Sequence, residues 1–318
     1  MENIENQLTR VRELSLQDKP EEALALVNTL DDTGDMGGMV CFARGNIYMQ
    51  LEQFALADEC YNLAVGKGFV DFRLYMNLAS VNMQMDKIER AELFYRQAAE
   101  LDATQVIPLS MICEMRLQLG DLNGAMAVAE EMAQRHPTLI DGFKLNLTIM
   151  LELGMYQEAM GILSEIENRF SAHPDYILLR SFVVSKLETA NAAMKYLEEK
   201  ESCFFESEAK LLYTQEKARL LLSRAVEFLR ASAKDEYRAA LQQAIDVLNS
   251  AGDALGLEMR LMRISVYEEL EQYADVIAAL DTTATFLKES KSISANTTAI
   301  LDRIAEKRSE VSAKIGLN

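Results

Sequence analysis

The chain has 318 residues, of which 49% are apolar, and its 50 Asp and Glu against 32 Lys and Arg give a net charge of −18. This composition excludes a disordered chain, and the acidic balance disfavours nucleic acid and anionic membranes, which attract Lys and Arg. No uncharged apolar stretch approaches the ~18 residues of a membrane span, and the charged start MENIENQLTRVRE is unlike a signal peptide, so we expect a cytoplasmic protein.

The charge is unevenly distributed along the chain. Residues 1–203 hold 32 acidic and 17 basic side chains, a net of −15, whereas residues 204–318 have a net of −3. An acidic front part favours solubility and a partner with basic flanks. The cysteines lie within helical patterns, which predicts reduced and buried thiols. They are Cys41, Cys60, Cys113 and Cys203.

From residue 4 to about 203, the sequence repeats itself every 34 residues. Six units begin at Ile4, Gly38, Phe72, Val106, Ile140 and Pro174. The twentieth position of each unit is alanine: Ala23, Ala57, Ala91, Ala125, Ala159 and Ala193. The eighth position is mostly small, and the twenty-fourth is aromatic or aliphatic, as in Tyr61 and Tyr95. Two helices approach closely where a small side chain faces a larger one, so the alanines predict tightly packed helix pairs.

Within each unit, apolar residues recur every three or four positions on both sides of a polar or glycine-containing turn. The stretches LGD (119–121) and LGM (153–155) mark two of these turns. The pattern predicts a helix hairpin, and because one hairpin cannot bury its own apolar face, the hairpins must stack. Pro20 lies near the start of a second helix, and Pro137 lies at a unit junction, where a missing N–H is harmless. The sequence therefore predicts an all-α solenoid.

Beyond residue 203 the 34-residue period slips. Residues 204–233 predict one extended helix, and residues 235–253 predict a second, with Ala240 and Ala244 near positions 20 and 24. Residues 257–287 predict a further hairpin, and residues 297–315 a capping helix with a polar outer face. Since no linker rich in Gly, Pro or Ser intervenes, we interpret 1–203 as six repeats and 204–318 as their degenerate continuation.

Catalytic or metal-binding constellations are not evident in the sequence. His136 and His173 each precede a proline at a unit junction, which is typical of a surface turn. The acidic segment 31–38 has Met36 where a calcium loop requires glycine, and it is interpreted as a flexible turn between repeats. Nucleotide and hydrolase motifs do not occur. We therefore expect a protein that is not an enzyme and uses no cofactor and no metal.

The repeat resembles the tetratricopeptide repeat. The resemblance rests on the 34-residue period, an aromatic Tyr48 at position 11, alanine at position 20, small Ala64 and Ala98 at position 27, and Pro137 at position 32. Residues 38–71 and 72–105 match best. The resemblance implies a right-handed solenoid of antiparallel helix hairpins, in which the first helix of each hairpin lines a concave groove. It implies a scaffold that binds a peptide segment of a partner protein.

The groove positions of this family carry amides and methionines in an unusual combination. The predicted peptide-binding residues are Phe42, Asn46, Met49, Arg73, Met76, Asn77, Ser80, Met83, Met111, Glu114, Lys144 and Thr148. Asparagine amides both donate to and accept from an extended backbone, and methionines adapt to varied apolar side chains. The alternative is that these side chains only fill the core and cap helices.

Some family members hold a peptide's terminal carboxylate with two asparagines and three cations. Asn46 and Asn77 match those asparagines, but Phe42, Ile107 and Met111 occupy the cation positions, so we expect this clamp to be absent. The main functional prediction is a scaffold that binds a protein or peptide. The alternative is a bacterial peptide-sensing regulator. Such regulators usually carry an effector before their repeats, and here the repeats begin at once, so residues 204–318 would have to be the effector.

Overall fold

The computed structural model describes residues 4–289 and 295–316, and it is all-helical within those ranges. They contain seventeen α-helices, two short 3-10 helices at Glu201–Cys203 and Gly252–Ala254, and no strand. The helices form stacked antiparallel pairs, which confirms the predicted α-solenoid. The terminal residues 1–3 and 317–318 of the predicted segments lie outside the described residues.

The chain divides into two compact units, Met1–Ile149 and Met150–Asn318, and the boundary falls within α9. The first unit holds α1 Ile4–Leu16, α2 Pro20–Val27, α3 Gly37–Gln50, α4 Phe54–Gly66, α5 Phe72–Gln84, α6 Ile88–Leu101, α7 Ile107–Gln118, α8 Leu122–Arg135 and most of α9 Asp141–Glu152. The predicted boundary at residue 203 falls inside the second unit, and the continuity of 204–318 with the repeats stays a prediction.

The second unit continues with helices of more variable length. They are α10 Tyr156–Phe170, α11 Pro174–Leu187, α12 Ala190–Glu199, α13 Ser207–Arg230, α14 Lys234–Ala251, α15 Leu257–Glu269, α16 Tyr273–Glu289 and α17 Ala295–Lys314. The long α13 confirms the extended helix expected after residue 203, and it packs along α14. The predicted last hairpin and terminal helix are also present, as α15, α16 and α17.

The repeated alanines lie where the two helices of a hairpin meet. All six of them are 0% exposed, and each lies in the second helix of its pair. Position 8 is also buried in every unit, from Val11 to Ser181. At Gly45, an added Cβ would lie 2.5 Å from the Tyr61 ring, so this position must lack a side chain for the ring to approach. The 34-residue pattern of small residues therefore marks the seam, the line of close contact between the two helices of each hairpin.

Seven of the eight hairpin turns among the described residues contain one residue in the left-handed conformation, and the α11–α12 turn, with φ of −121° at Glu188, is the exception. In α3–α4 this residue is Glu52, with φ of 57°, and the N–H of Gln53 donates to the carbonyl of Tyr48 over 2.8 Å to close the turn. This bond satisfies a carbonyl at the helix end, as in a Schellman motif. Left-handed residues occupy the same place in six further turns: Asp18, Asp86, Gly120, Gly154, Ser232 and Glu271.

The turns correct one detail of the sequence prediction. Ala57 lies five residues beyond the left-handed Glu52, whereas Ala240 lies eight residues beyond the left-handed Ser232. Ala240 and Ala244 are buried, as expected of seam residues, but they are not at positions 20 and 24 of a repeat. The longer helices α13 and α14 meet further from their turn, and this moves the close contact along α14.

Five of the polar bonds between neighbouring hairpins share one separation along the chain. Residues 35 positions apart are linked in the pairs Ser15–Gln50, Asp32–Lys67, Arg96–Glu131, Glu100–Arg135 and Ser181–Glu216. A separation of one repeat plus one residue places the two partners at corresponding places in adjacent hairpins. These bonds lie within a unit, and they link α1–α2 to α3–α4, α5–α6 to α7–α8, and α11–α12 to α13–α14.

Two local predictions are modified by the structure. The segment 31–38 is fixed by Asp32, whose carboxylate lies 3.2 Å from Arg44 Nη1 and whose carbonyl accepts a 2.6 Å hydrogen bond from Lys67 Nζ. It is therefore an anchored turn, and its Gly37 and Gly38 already belong to α3. Three cysteines are buried in helices as predicted, but Cys203 is only half-buried, because it lies in a short 3-10 helix.

Candidate functional site

The predicted binding residues lie on the first helices of four consecutive hairpins, all within the first unit. Phe42, Asn46 and Met49 are on α3, five others are on α5, and the remaining four are on α7 and α9. All twelve are half-buried or exposed. We call these twelve residues the amide–methionine face: Phe42, Asn46, Met49, Arg73, Met76, Asn77, Ser80, Met83, Met111, Glu114, Lys144 and Thr148.

Asn46 and Asn77 form one hydrogen-bonded group with Tyr61. The Tyr61 hydroxyl donates to Asn46 Oδ1 over 2.8 Å, and Asn77 Nδ2 donates to the same oxygen over 2.8 Å. Asn77 Nδ2 also lies 3.5 Å from the Tyr61 hydroxyl oxygen. The structure thus brings together two predicted residues from neighbouring hairpins and adds a third, Tyr61, which the sequence indicated only as an aromatic residue at position 24 of its repeat.

Tyr61 is the buried member of this hydrogen-bonded group. Its side chain is 0% exposed in α4, and Gly45, next to Asn46, leaves the space that its ring occupies. Burial raises the pKa of Tyr61 above that of a free tyrosine, so the hydroxyl keeps its proton and remains a donor. Tyr61 therefore fixes Asn46 Oδ1 as an acceptor and sets the orientation of both amides.

One donor and one acceptor of the pair remain available. Within residues 4–289 and 295–316, Asn46 Nδ2 and Asn77 Oδ1 have no hydrogen-bond partner, while the opposite ends of both amides are held by the Tyr61 group. Both side chains are half-buried. The pair therefore presents an oriented N–H and an oriented C=O, the two groups that pair with a peptide backbone.

The apolar members of the face pack against buried residues of the first unit. The Phe42 ring lies 5.9 Å from the Tyr61 ring and 5.3 Å from the Phe69 ring. Met76, Met83 and Met111 are partly buried, and all three pack on one core cluster formed by α5 to α9. Their inner parts thus belong to the core while the rest remains accessible, so the structure combines the two alternatives raised by the sequence.

The charged members of the face differ in their surroundings. Arg73 forms a two-point pair with Asp71, at 3.1 and 3.2 Å, and Asp71 also caps the start of α5. Thr148 donates to the Lys144 carbonyl within α9 over 2.8 Å. Glu114 is exposed on α7, and no cation pairs with it in the described part of the chain. Burial, and to a smaller extent the charge of Glu114, raises the pKa of Tyr95.

Other candidate chemistry is sparse. His136 ends α8, and the exposed His173 caps α11, where its Nδ1 accepts the Asp175 N–H over 3.2 Å. Both histidines thus lie at junctions, as predicted. Over the described ranges, His, Cys, Asp and Glu nowhere form a cluster of three that could hold a metal ion. The same ranges contain no helix with the length and apolarity needed to cross a bilayer.

Sequence reasoning gave no account of Arg260 in the second unit. Its side chain is 3% exposed, stacks 4.5 Å from the Phe286 ring centre, and donates to the carbonyls of Leu255 and Asp253 over 2.7 Å each. It borders a cavity of about 480 Å³ together with Asp281 and Glu289 among others. Arg260 fixes the turn between α14 and α15, and an isolated arginine in a helical pattern gave no signal of that role.

Comparison with known families agrees with the repeat pattern. Residues 40–66 and 72–105 match the family model described as tetratricopeptide repeat. These are α3 to α6, the hairpins that carry Asn46, Tyr61 and Asn77. Residues 40–66 and 72–105 are therefore tetratricopeptide repeats. Repeats of this family support a protein–protein interaction scaffold, and the family is in general non-enzymatic. A search of curated protein sequences finds no match.

Solved structures show the same fold at low sequence identity. The C-terminal part of a TPR repeat-containing protein from Cytophaga hutchinsonii is 15% identical, with a TM-score of 0.58 over 76% of this chain and 95% of that one. Yeast Tom70 is 12% identical, with a TM-score of 0.58 over 93% of this chain and 59% of that one. At these identities the likeness shows a shared tetratricopeptide-repeat architecture.

Proposed function

We propose that the amide–methionine face binds an extended segment of a partner protein, so that the protein acts as a non-enzymatic scaffold. The observation that carries this proposal is the Asn46–Tyr61–Asn77 group, which leaves one oriented donor and one oriented acceptor on a half-buried surface. An extended peptide presents alternating C=O and N–H groups along each edge. Asn46 Nδ2 would donate to a peptide carbonyl, and Asn77 Oδ1 would accept from a peptide N–H.

The fixed orientation of the amides favours this role. A free asparagine side chain rotates and loses that freedom when it binds, whereas Asn46 is already held through its Oδ1 by two donors. Binding to a group that is oriented in advance loses less conformational entropy. Hydrogen bonds to the peptide backbone select for an extended conformation but not for a particular peptide sequence. Any preference for particular peptide side chains must therefore come from the apolar residues of the face.

The methionines supply an adaptable apolar surface. Met76 and Met83 are seven residues apart on α5, two helical turns along one stripe, and both rest on the core cluster. Unbranched, polarisable side chains adjust to apolar partners of different shapes. A face of this kind suits a segment that contributes a few apolar side chains and does not need one exact fit.

The Asn46→Asp variant provides a direct test. Aspartate keeps an oxygen for Tyr61 and Asn77 to donate to, but it removes the donor that faces the peptide carbonyl. We expect binders selected from a displayed library of short peptide segments to lose about tenfold or more in affinity, since ~1.4 kcal/mol corresponds to one decade. Asn123→Asp, an exposed asparagine on α8, makes the same chemical change away from the face and serves as control.

Two results would refute the proposal. The first is that Asn46→Asp and Asn123→Asp bind the selected segments equally well. The second is that no segment is selected by the wild-type protein at all. Small-angle scattering with and without a bound segment then separates a scaffold from a peptide sensor, because a scaffold retains its dimensions while a sensor becomes more compact. The cytoplasmic location and the preference for basic flanks remain predictions alongside this proposal.

A further inference from the structure

The cations on the two helices that carry the amide pair, and on the first helix of the next hairpin, are already neutralised within the protein. Helices α3, α5 and α7 contain one basic residue each. Arg44 pairs with Asp32 at 3.2 Å, and Arg73 pairs with Asp71 at 3.1 Å. Arg116 lies 2.9 Å from Glu92 and 2.7 Å from Asp121. None of the three is left to compensate an anionic group on a ligand.

The surroundings of the amide pair also disfavour an anion. Phe42 lies one helical turn before Asn46 on α3, Met76 directly precedes Asn77 on α5, and both are half-buried against the core. A carboxylate or phosphate placed there would lose water and gain at most the single donor Asn46 Nδ2. Transferring a charge into such surroundings without a counter-ion is costly. A neutral peptide bond, in contrast, needs only the one donor and one acceptor that the pair offers.

The uncompensated charge on these three helices is negative. Glu114 is exposed on α7 and has no cationic partner within the described residues, and it lies one hairpin beyond Asn77. It belongs to the part of the chain, residues 1–203, whose net charge is −15. A carboxylate in such a field attracts a basic side chain of a ligand and repels an acidic one.

We infer that the bound segment is an internal stretch of a partner chain that carries apolar side chains and a basic residue facing Glu114, and that it is neither an acidic segment nor a free carboxyl end. This inference rests on the proposed function and specifies its partner class. It is carried by the neutralised Arg44, Arg73 and Arg116, by the neutral amide pair and by the unpaired Glu114.

The test selects peptide segments in two formats, one flanked by folded domains on both sides and one with a free carboxyl end. We expect the flanked format to yield binders enriched in Lys or Arg beside apolar residues. The synthetic amidated and free-acid forms of a selected segment should then bind within about twofold of each other. Binders that need the free carboxylate, or that are enriched in Asp and Glu, would overturn the inference while leaving the proposed function intact. Failure of both formats would overturn the proposed function itself.

Two variants localise the effect. Glu114→Gln should weaken a Lys-containing segment by roughly two- to fivefold, the range of an exposed ion pair, and should leave its Lys-to-Gln version unchanged. Glu130→Gln, an exposed glutamate on α8, is the matched control. Asp71→Asn keeps an N-cap on α5 but releases Arg73, so it should shift the preference toward the free-acid form. If Glu114→Gln and Glu130→Gln act alike, the basic residue does not face Glu114, and the inference fails.

Discussion

The Tyr61 hydroxyl donates to Asn46 Oδ1 over 2.8 Å, joining a fully buried ring in α4 to a half-buried amide in α3. The core of one hairpin therefore sets the orientation of a side chain on the candidate binding face. A surface residue held in this way contributes both to folding and to binding. Experiments on its variants must therefore measure stability and affinity separately.

Removing the hydroxyl alone tests this coupling. Tyr61→Phe keeps the ring contact with Phe42 but removes a donor to Asn46 Oδ1, which still accepts from Asn77. We expect the free energy of unfolding to fall by about 0.5–1.5 kcal/mol, measured by urea denaturation, and segment affinity to fall as well. Tyr237→Phe removes a hydroxyl that bonds to Glu269 in the other unit and should leave affinity unchanged. Equal affinity of both variants would contradict a role for Tyr61 in orienting the amides.

The double variant Asn46→Ala with Asn77→Ala should weaken both folding and binding. From the sequence alone its effect on stability is expected to be negligible, because the two residues are assigned to an open face. In the structure, however, the change leaves the buried Tyr61 hydroxyl without its acceptor, which costs about 1–3 kcal/mol. Thermal unfolding measures this loss, and binding is then compared at a temperature where the variant is fully folded. An unchanged midpoint would show that the Tyr61 group contributes nothing to stability.

The methionines are tested by truncation and by replacement with leucine. Met76→Ala with Met83→Ala should reduce segment affinity and also stability, by less than the ~2–5 kcal/mol seen for each fully buried methionine, because both are only partly buried. Met76→Leu with Met83→Leu keeps the apolar volume, so its stability should stay within about 1.5 kcal/mol per site. If the leucine variant loses as much affinity as the alanine variant, an adaptable apolar surface is the wrong description.

The hairpin seam is tested at Ala91, which is 0% exposed. Ala91→Trp must displace neighbouring helices and should cost at least the ~1–3 kcal/mol of forced overpacking. Ala127→Trp, at an exposed position of α8, should change stability by no more than about 0.5 kcal/mol. Urea denaturation of both variants measures the difference. Equal midpoints would mean that the alanines do not mark the seam.

The left-handed turns are tested with a pair of glycines. Gly120 has φ of 75° and a Cβ there would meet no neighbour, so Gly120→Ala should lose about 1–2 kcal/mol from backbone conformation alone. Gly161 lies in the middle of α10 with open space around it, so Gly161→Ala should gain up to about 1 kcal/mol. Opposite signs in thermal unfolding are the expected outcome, and a loss in both variants would contradict the explanation.

Much of the fold was predictable because the repeat is a packing requirement. Ala91 had to be small since two helices meet there, and the need recurs with every hairpin. The turn at Glu52 was not predictable, since glutamate rarely adopts a left-handed conformation and only the surrounding hairpin imposes it. The sequence indicated Asn46 and Asn77 from their positions on first helices. It did not indicate their bond to each other, because 31 residues separate them and the contact depends on how two hairpins stack.

The short separation along the chain of the bonds between hairpins bears on how the protein folds. Ser15 with Gln50 and Arg96 with Glu131 link neighbours one repeat apart. Contacts this local close short loops, which lose little chain entropy, so each unit should fold rapidly and from more than one starting hairpin. A hairpin at the end of a stack has one neighbour where an inner hairpin has two. Amide hydrogen exchange should therefore be fastest in α1 and α2 of the first unit and slower in α5 and α6, so partial opening begins away from the amide pair.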